Sequence, residues 1–231
     1  MKKLSVVIPI YNEERTIADL LRAVGAIQIP LEKEVIIVDD GSTDGTREIL
    51  KSFQSRYRVI LKDRNRGKGA ALRAGFKEAT GDIILIQDAD LEYDPDEYGL
   101  LIDPIIAGKA DVVYGSRFVT SKPHRVLYNT HFLANRLITT ISNLFTNLNL
   151  SDVETCYKVF TRKALDKILP NLTADRFGIE IELTAQVAKN KLRVYEVGIS
   201  YSGRTYEEGK KITWRDGLAA LGHIIRYNLF K

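Results

Sequence analysis

Cysteine, long apolar runs and an excess of charge of one sign are all scarce in this sequence. The 231 residues include one cysteine, Cys156, so no internal disulfide can form and the reducing cytoplasm is the expected compartment. No run of about 18 apolar residues occurs, which predicts that no helix spans a membrane. The apolar stretch near Met1 covers only residues 4–10, which is too short for a secretory signal.

The charge balance also excludes some classes of protein. Lys and Arg number 34 against 30 Asp and Glu, which leaves a formal net charge of +4. This small excess argues against a dedicated nucleic-acid binder, but it suits a modest attraction to anionic substrates or to a membrane surface. The sequence has no low-complexity linker and no internal repeat, so we expect a single domain over residues 1–231.

Apolar, β-branched runs alternate with amphipathic segments through the first half of the chain. The predicted strands cover 4–10, 34–40, 57–63, 82–90 and 111–118, and the predicted helices lie near 13–27, 43–54, 67–79 and 94–107. This alternation is typical of βαβ units that form a parallel sheet, and the nearly continuous apolar strands indicate helices on both faces. In open sheets of this kind, ligands bind beyond the carboxyl ends of the strands.

The second half predicts a mostly helical extension. The spacing of apolar residues predicts helices over 125–150, near 161–169, near 176–190 and over 209–230, with a strand at 192–201. The expected fold is therefore α/β and Rossmann-like, with a mostly parallel central sheet and a helical C-terminal extension.

Four acidic residues crowd together directly after the apolar run of the fourth strand. Asp88, Asp90, Glu92 and Asp94 fall within the sequence DADLEYD. Like charges this close repel one another unless a cation lies among them. Because Asp is also common in turns, the residues alone leave a cation site and a solvated turn as equal alternatives.

Two further segments carry polar residues at predicted strand ends. Asp39 and Asp40 precede Gly41, and a carboxylate there could accept hydrogen bonds from a ribose or a base edge, although a plain strand–turn–helix connection is the alternative. The segment 65–75 contains glycines and Lys68 but lacks the complete phosphate-loop pattern. Close packing of a helix on the sheet is the favoured reason for these glycines, and an anion contact by Lys68 is the alternative.

Four segments in order resemble the family 2 glycosyltransferases: VVIPIYNEE (6–14), IVDDGSTDGT (37–46), DIILIQDADLE (82–92) and GSRF (115–118). The resemblance implies a nucleotide-diphospho-sugar transferase fold of the GT-A type, with a nucleotide-sugar-binding half at 1–120 and an acceptor-binding half at 121–231. It implies that the donor is bound by Pro9, Tyr11, Glu13, Val38, Asp40, Lys68, Asp88, Ala89 and Asp90. It also implies a divalent cation, Mg²⁺ or Mn²⁺, held by Asp88, Asp90 and Glu92.

Two segments of the second half are similar to the dolichyl- and polyprenyl-phosphate sugar synthases of that family: DVETCYKVF (152–160) and YSGRTYEEGKKI (201–212). This likeness implies a polyprenyl-phosphate acceptor and a closing loop that carries Arg204 and Lys210 over the donor phosphates. The alternative is that these two residues are solvated surface cations. The residues with implied catalytic roles are Asp90, Arg117, Arg204 and Lys210.

The pattern of those synthases is not complete here. His131 stands where they usually have Ser, Leu127 stands where they have Arg, and Arg125 lies two residues earlier. The implied contacts to the acceptor phosphate come from Arg117, Arg125 and His131. Glu92 also stands where mannose synthases often have Gln.

The acceptor class depends on whether the chain supplies a general base. A sugar hydroxyl needs one, whereas a phosphate monoester is already an anion near pH 7. Glu180 and Glu182 are the available acids, but residues two apart on a helix do not face one another. We expect one of them to face solvent and the other to pair with a cation, which favours a phosphate acceptor.

Membrane contact would follow from such an acceptor. The predicted helix 125–148 and the tail 212–231 mix aromatic and basic residues on apolar helices, which suits either interfacial binding or an ordinary core. The resulting hypothesis is an inverting, metal-dependent hexosyltransferase, peripheral on the cytoplasmic face of a membrane, with GDP-mannose, UDP-glucose and UDP-N-acetylglucosamine all open as donors. The alternatives are transfer to a saccharide hydroxyl with Glu180 as base, and a non-catalytic nucleotide-sugar-binding module.

Overall fold

The computed structural model describes residues 1–122, 124–126, 128–205, 207–208 and 214–230. The strands are β1 (Lys3–Ile10), β2 (Glu32–Asp39), β3 (Arg58–Leu61), β4 (Ile83–Ile86), β5 (Val112–Ser116), β6 (Lys158–Thr161) and β7 (Val194–Gly198). The helices are α1 (Ile17–Ala26), α2 (Thr46–Lys51), α3 (Lys68–Glu78), α4 (Tyr98–Ile106), α5 (Asn129–Thr146), α6 (Arg162–Ile168), α7 (Ile179–Lys189) and α8 (Trp214–Leu229). Short 3₁₀ turns at Pro95–Glu97 and Leu169–Asn171 precede α4 and follow α6.

The strands form one sheet of seven in the order β3-β2-β1-β4-β6-β5-β7. All neighbouring pairs are parallel except those of β6, which runs antiparallel to both β4 and β5. The expectation of a mostly parallel sheet is therefore confirmed. The expected strand at 192–201 is present as the shorter β7.

Strand β6 was missed by the sequence reasoning, which placed no strand between 118 and 192. Only four residues long, it begins at Lys158, whose side chain is fully buried. A buried lysine breaks the apolar pattern by which a central strand is recognised. The position is tolerated because the Lys158 ammonium contacts the carbonyl oxygens of Val153 and Thr155 and the carboxylate of Glu180.

Both faces of the sheet are covered. Seven consecutive residues of β1 and all four of β4 are buried, and successive residues of a strand face opposite sides. Helix α3 packs on β1 and β2 so closely that a Cβ at Gly75 would collide with the side chain of Val7. Packing is thus confirmed as a reason for a glycine in the segment 65–75.

The C-terminal half is mostly helical, as expected, but its long helix starts later than 125. Tyr128 has an extended conformation, so α5 begins at Asn129, and it ends where Asn147 adopts a left-handed φ of 55°. Helix α8 packs against α5 and α7 and supplies the expected C-terminal helix. Residues 209–213 of the predicted tail helix lie outside the described residues. Among the helices that the structure describes, none combines the length and the apolar character needed to cross a bilayer.

Candidate active site

The acidic residues singled out from the sequence meet at one edge of the sheet. Strand β1 lies between β2 and β4, so the segments after these three strands are neighbours at their carboxyl ends. Pro9 is in register with Val38 inside the sheet, and Tyr11 is partly exposed just beyond it. Across the edge, the Thr16 hydroxyl donates to the carbonyl oxygen of Ala89 at 2.7 Å, which ties the loop after β1 to the acidic loop after β4.

Arg204 is the residue on which three acids converge. Its guanidinium group lies 3.4 Å from Glu13 Oε2, 3.1 Å from Asp90 Oδ2 and 3.4 Å from Glu92 Oε1. The backbone N–H of Arg204 also donates to Glu92 Oε1 at 2.8 Å. The loop after β7 therefore reaches the loops after β1 and β4, and the closing of this loop over donor phosphates stays a prediction.

Asp90 lies in an unfavourable electrostatic position. Burial, followed by the nearby carboxylates of Asp88 and Glu92, raises its pKa to about 7, although Arg204 opposes the shift. Repelling carboxylates in a partly desolvated place are what a divalent cation would relieve, and hard carboxylate oxygens suit Mg²⁺ or Mn²⁺. The three residues fit such an ion chemically.

The arrangement of the acids in this structure is set by protein cations. Within the described part of the chain, no group of three His, Cys, Asp or Glu side chains is arranged to hold a metal ion. Asp88 faces Lys68, and Asp90 and Glu92 face Arg204. The fourth acid, Asp94, accepts from the backbone N–H of Asp96 at 3.0 Å and so begins the 3₁₀ turn before α4. For Asp94, the alternative that these acids form a turn is therefore confirmed.

Lys68 joins the acidic loop to helix α7. Its Nζ lies 2.8 Å from Asp88 Oδ1 and 2.9 Å from Glu180 Oε1, and the other oxygen of Glu180 contacts the buried Lys158. Although burial lowers the pKa of Lys68, the carboxylates around it, Asp88 foremost, raise it well above its ordinary value. Lys68 is thus a fixed positive charge at the edge where the donor was expected to bind.

The expectation for the two acids of α7 was half right. Glu180 is paired with cations, as expected. Glu182 does not face solvent: it is fully buried, and its carboxylate accepts from the backbone N–H groups of Thr173 and Ala174 and from the Thr173 hydroxyl. The reason is that the loop before α7 folds back over the start of the helix, which turns both acids inward.

The two aspartates at the end of β2 are both buried. Asp39 accepts from Arg47 Nε at 2.7 Å. Asp40 contacts the Lys62 ammonium and accepts from the backbone N–H of Arg66 at 2.9 Å and of Gly67 at 2.5 Å. Asp40 therefore holds the loop that leads into Lys68, and its expected contact with a nucleoside stays a prediction.

Arg117 lies beside the acidic cluster but is itself paired. Its guanidinium binds Asp152 through two parallel hydrogen bonds of 2.7 Å and lies 5.2 Å above the ring of Tyr201. Burial opposes the charge, but Asp152 raises the pKa of Arg117 well above its ordinary value. The Tyr201 hydroxyl donates to Glu92 Oε2 at 2.8 Å, so the ring of Tyr201 connects Arg117 to one of the proposed metal ligands.

Two other residues were expected to contact the acceptor phosphate, Arg125 and His131. Arg125 precedes α5 and bonds Glu208 at 2.6 Å and the carbonyl oxygen of Gly203 at 3.1 Å, so it contacts the same loop as Arg204. His131 lies in the first turn of α5 with its ring against Tyr128. Lys210 lies outside the described residues.

Sequence reasoning missed Tyr201, Asp152 and Glu154. Glu154 Oε1 is buried and has no hydrogen-bond partner among the residues that the structure describes. Burial, followed by the carboxylate of Glu180, raises the pKa of Glu154 to about 7. The only local signal was the density of polar residues in DVETCYK, which does not say that these side chains turn inward.

The fold and the acidic edge together define a class, the GT-A type of α/β glycosyltransferase fold. Among solved structures, glucosyl-3-phosphoglycerate synthase from Mycobacterium tuberculosis in complex with phosphoglyceric acid superposes with a TM-score of 0.75 at 21% identity, covering 98% of this chain and 80% of that one. The same enzyme in complex with Mn²⁺, UDP and glucosyl-3-phosphoglycerate gives a TM-score of 0.73 at 20% identity, again with 98% and 80% covered. At these identities the likeness shows the fold alone.

The family follows from the sequence comparison. Residues 5–169, well over half of the chain, match the model of Glycosyl transferase family 2, and the chain belongs to this family. The undecaprenyl-phosphate 4-deoxy-4-formamido-L-arabinose transferase of Aeromonas hydrophila is 34% identical over 175 residues, which are 73% of this chain and 52% of that protein. The dolichol-phosphate mannosyltransferase of Pyrococcus furiosus is 38% identical over 119 residues, or 51% and 34%.

A third relative matches over its whole length. The UDP-N-acetylglucosamine–dolichyl-phosphate N-acetylglucosaminyltransferase of Methanococcus voltae is 29% identical over 250 aligned positions, which cover 97% of this chain and 98% of that protein. The chain thus spans about half of the first relative, a third of the second and nearly all of the third.

Proposed function

We propose that this protein transfers a hexose from a nucleotide diphospho-sugar to a polyprenyl phosphate, with inversion at the anomeric carbon. All three relatives named above carry a lipid phosphate in their names, although the sugars differ. Residues 1–120 would bind the donor and residues 121–231 the acceptor, within one domain. The donor base and sugar are left open.

We infer a phosphate acceptor from the contacts that the two acids of α7 make. Glu180 Oε2 contacts Lys158, Glu180 Oε1 forms an ion pair with Lys68 at 2.9 Å without the geometry of a hydrogen bond, and the Glu182 carboxylate accepts from the loop before the helix. A carboxylate held between two ammonium groups is poorly placed to take a proton from a sugar hydroxyl. A phosphate monoester needs no such base, because it is already an anion near pH 7.

The donor side uses the edge at the ends of β1, β2 and β4. Asp88, Asp90 and Glu92 would hold Mg²⁺ or Mn²⁺, an ion that supplies charge stabilisation for a departing nucleoside diphosphate. The expected donor contacts are Pro9, Tyr11, Glu13, Val38, Asp40, Lys68, Asp88, Ala89 and Asp90. Lys68 is positioned by Asp88 and Glu180 to place a positive charge there.

Positive charge from the second half would orient the reacting groups. A phosphate oxygen of the acceptor attacks the anomeric carbon, and the bond from that carbon to the donor diphosphate breaks. Arg204, already drawn over Asp90 and Glu92, would stabilise the charge that moves onto the diphosphate, together with Lys210. Arg117, Arg125 and His131 would contact the acceptor phosphate, and Arg117 would have to share its guanidinium with Asp152.

A lipid acceptor requires the protein to reach a membrane surface. We place the protein on the cytoplasmic face of the membrane. Helices α5 and α8 pack against each other, and each exposes apolar side chains. On α5 these are Phe132, Leu133, Leu137, Leu144 and Phe145, and on α8 they are Leu218, Ile225 and Leu229. Exposed apolar stripes on adjacent amphipathic helices suit a peripheral, interfacial position.

The test is a two-phase transfer assay with purified protein. Each labelled nucleotide sugar is supplied in turn with Mn²⁺ or Mg²⁺ and a short polyprenyl phosphate, and label in the organic phase is measured. We expect transfer from one donor, none to the matching polyprenol, and a loss of at least 100-fold in Asp90→Asn. Asp94→Asn is the matched control, since an asparagine oxygen can still accept from Asp96.

Two results of this assay would overturn the proposal. Equal transfer to polyprenol would show that a hydroxyl is activated after all. Nucleotide binding that depends on metal, with no transfer to any lipid or saccharide, would instead support a non-catalytic binding module.

Transfer to a saccharide hydroxyl is the second candidate function, and Glu154 is the observation that favours it. A carboxyl group with a pKa of about 7, and with a buried oxygen that has no hydrogen-bond partner among the described residues, has the properties of a general base. If this candidate is correct, Glu154→Gln abolishes transfer to saccharides. If our proposal is correct, the same variant leaves transfer to polyprenyl phosphate largely intact.

A further inference from the structure

A basic cavity lies next to the donor edge, on the side of α8. Its volume is about 720 Å³, and it is bounded by the loop before α3, the loop before α7 and one side of α8. Among the described residues that line it are four arginines and one acid: Arg64, Arg66, Arg176 and Arg226, and Asp175. None of these five residues belongs to the donor, metal or acceptor contacts described above.

Carboxylates of the described residues neutralise little of this positive charge. Asp175 is bound by Arg73 at 2.5 Å and lies 3.8 Å from Arg66. Within the described part of the chain, Arg64, Arg176 and Arg226 have no carboxylate partner. Burial and then the charge of Arg226 lower the pKa of His223 on the cavity wall, and the buried carboxylate of Glu182 opposes this shift.

Guanidinium groups with no acid to pair with favour an anion that offers several oxygens. Arginine binds phosphate groups through two parallel hydrogen bonds, so converging arginines are a typical phosphate site. The wall also contains the ring of Tyr227, against which Arg226 is stacked at 5.6 Å. A stacked guanidinium is held in place, which reduces the entropy lost when an anion binds.

The position of Arg226 on α8 indicates where that phosphate comes from. Leu218, Ile225 and Leu229 are spaced by seven and four residues, so they form one exposed apolar stripe. Arg226 directly follows Ile225, and Phe230, which is 77% exposed, lies about one turn beyond it. A bilayer in contact with the stripe would therefore bring lipid headgroups to the mouth of the cavity.

We propose that this cavity binds the headgroup phosphate of an anionic bilayer lipid and thereby holds the protein on anionic membranes. The lipid is a membrane anchor, separate from the acceptor that is consumed. This inference rests on the membrane position in the proposed function.

The experiment measures binding of the purified chain to vesicles by co-sedimentation. Vesicles of phosphatidylcholine alone are compared with equimolar phosphatidylcholine and phosphatidylglycerol, for wild type and for Arg64→Gln/Arg176→Gln/Arg226→Gln. The triple variant should bind the mixed vesicles on the order of 100-fold more weakly, since each arginine contributes roughly 5-fold. Its binding to phosphatidylcholine alone should be unchanged.

A charge-matched variant controls for non-specific attraction. Lys77→Gln/Lys109→Gln/Lys163→Gln removes three exposed cations at the opposite end of the sheet. Equal losses in the two triple variants would overturn the proposal, because the effect would then be net charge alone. All variants alter exposed side chains, and their melting temperatures verify that they fold.

Two further measurements separate the remaining explanations. Stabilisation by inorganic phosphate or glycerol 3-phosphate that is lost in the arginine variant, with vesicle binding unchanged, would assign the cavity to a free phosphate compound and overturn the lipid proposal. Transfer to polyprenyl phosphate in detergent without anionic lipid tests the proposed function by itself. Wild type that fails to transfer but binds mixed vesicles through the three arginines would overturn the function and support the lipid site.

Discussion

Folding changes the pKa of Glu154, so the folded and unfolded chains differ in how strongly this residue holds its proton. Burial, followed by Glu180, raises its pKa from an ordinary 4.5 to about 7. Between these two values the folded protein holds a proton that the unfolded chain has released. Stability should therefore fall as pH rises through this window, and the full cost should be present above pH 7.

Glu154→Gln should remove that cost. We expect the variant to be more stable than wild type above pH 7, by at most roughly 3 kcal/mol, and equal to it below pH 4.5. The measurement is the free energy of unfolding in urea across this pH range. Glu48→Gln, at an exposed glutamate of α2, is the control and should not change the pH dependence. A wild-type stability that is flat across the window would contradict the assignment.

Helix α3 and the loop before α7 are the elements that bring Lys68 and Glu180 together. The backbone N–H of Ala70 donates to the carbonyl oxygen of Asp175 at 3.0 Å. At Gly69 a Cβ would collide with the carbonyl oxygen of Ala174, which is backbone and cannot rotate away. The first turn of α3 thus requires a residue without a side chain.

Gly69→Ala should therefore destabilise the protein by about 1–3 kcal/mol, because the loop must move to admit the methyl group. Gly99→Ala in α4 is the matched substitution, since no described heavy atom lies within 4 Å of a Cβ built there. It should stabilise the protein by up to about 1 kcal/mol through helix propensity. Denaturant unfolding of both variants measures this, and a Gly69→Ala variant as stable as wild type would show that the loop is not packed as described.

At the scale of the whole molecule, the candidate site joins the two halves of the chain. Arg204 connects the loop after β7 to acids after β1 and β4, and Lys68 connects the acidic loop to α7. A ligand bound at this edge would contact both halves and should stabilise the entire fold rather than one element.

UDP or GDP together with Mn²⁺ should raise the melting temperature by roughly 5–10 °C at a concentration of about 100 times Kd. The shift in melting temperature should need both metal and nucleotide, because the cation would neutralise the carboxylates of the site and the diphosphate together. Differential scanning fluorimetry with each component alone and with EDTA measures it. Asp90→Asn should lose the shift and Asp94→Asn should keep it, whereas an equal shift in EDTA would show that the nucleotide binds without metal and would contradict the prediction.

What the sequence determined by itself was mostly local in character. The alternation of apolar strands and amphipathic helices was enough to predict a mostly parallel α/β sheet, because each element declares itself within about ten residues. The motifs around Tyr11, Asp40 and Asp90 were also recognisable, since they follow strand ends, and the family comparison agrees with them.

Only the tertiary structure decided which charges meet. Arg204 lies 114 residues from Asp90 along the chain, and no local pattern pairs them. Strand β6 was hidden because its buried Lys158 is compensated by Glu180, 22 residues later. One of the two acids of α7 was expected in solvent because a glutamate usually is, yet Glu182 is buried and the backbone of Thr173 and Ala174 satisfies it. In each case the fold brings a partner to the charge, and the pattern of apolar and polar residues around the charged residue does not reveal that partner.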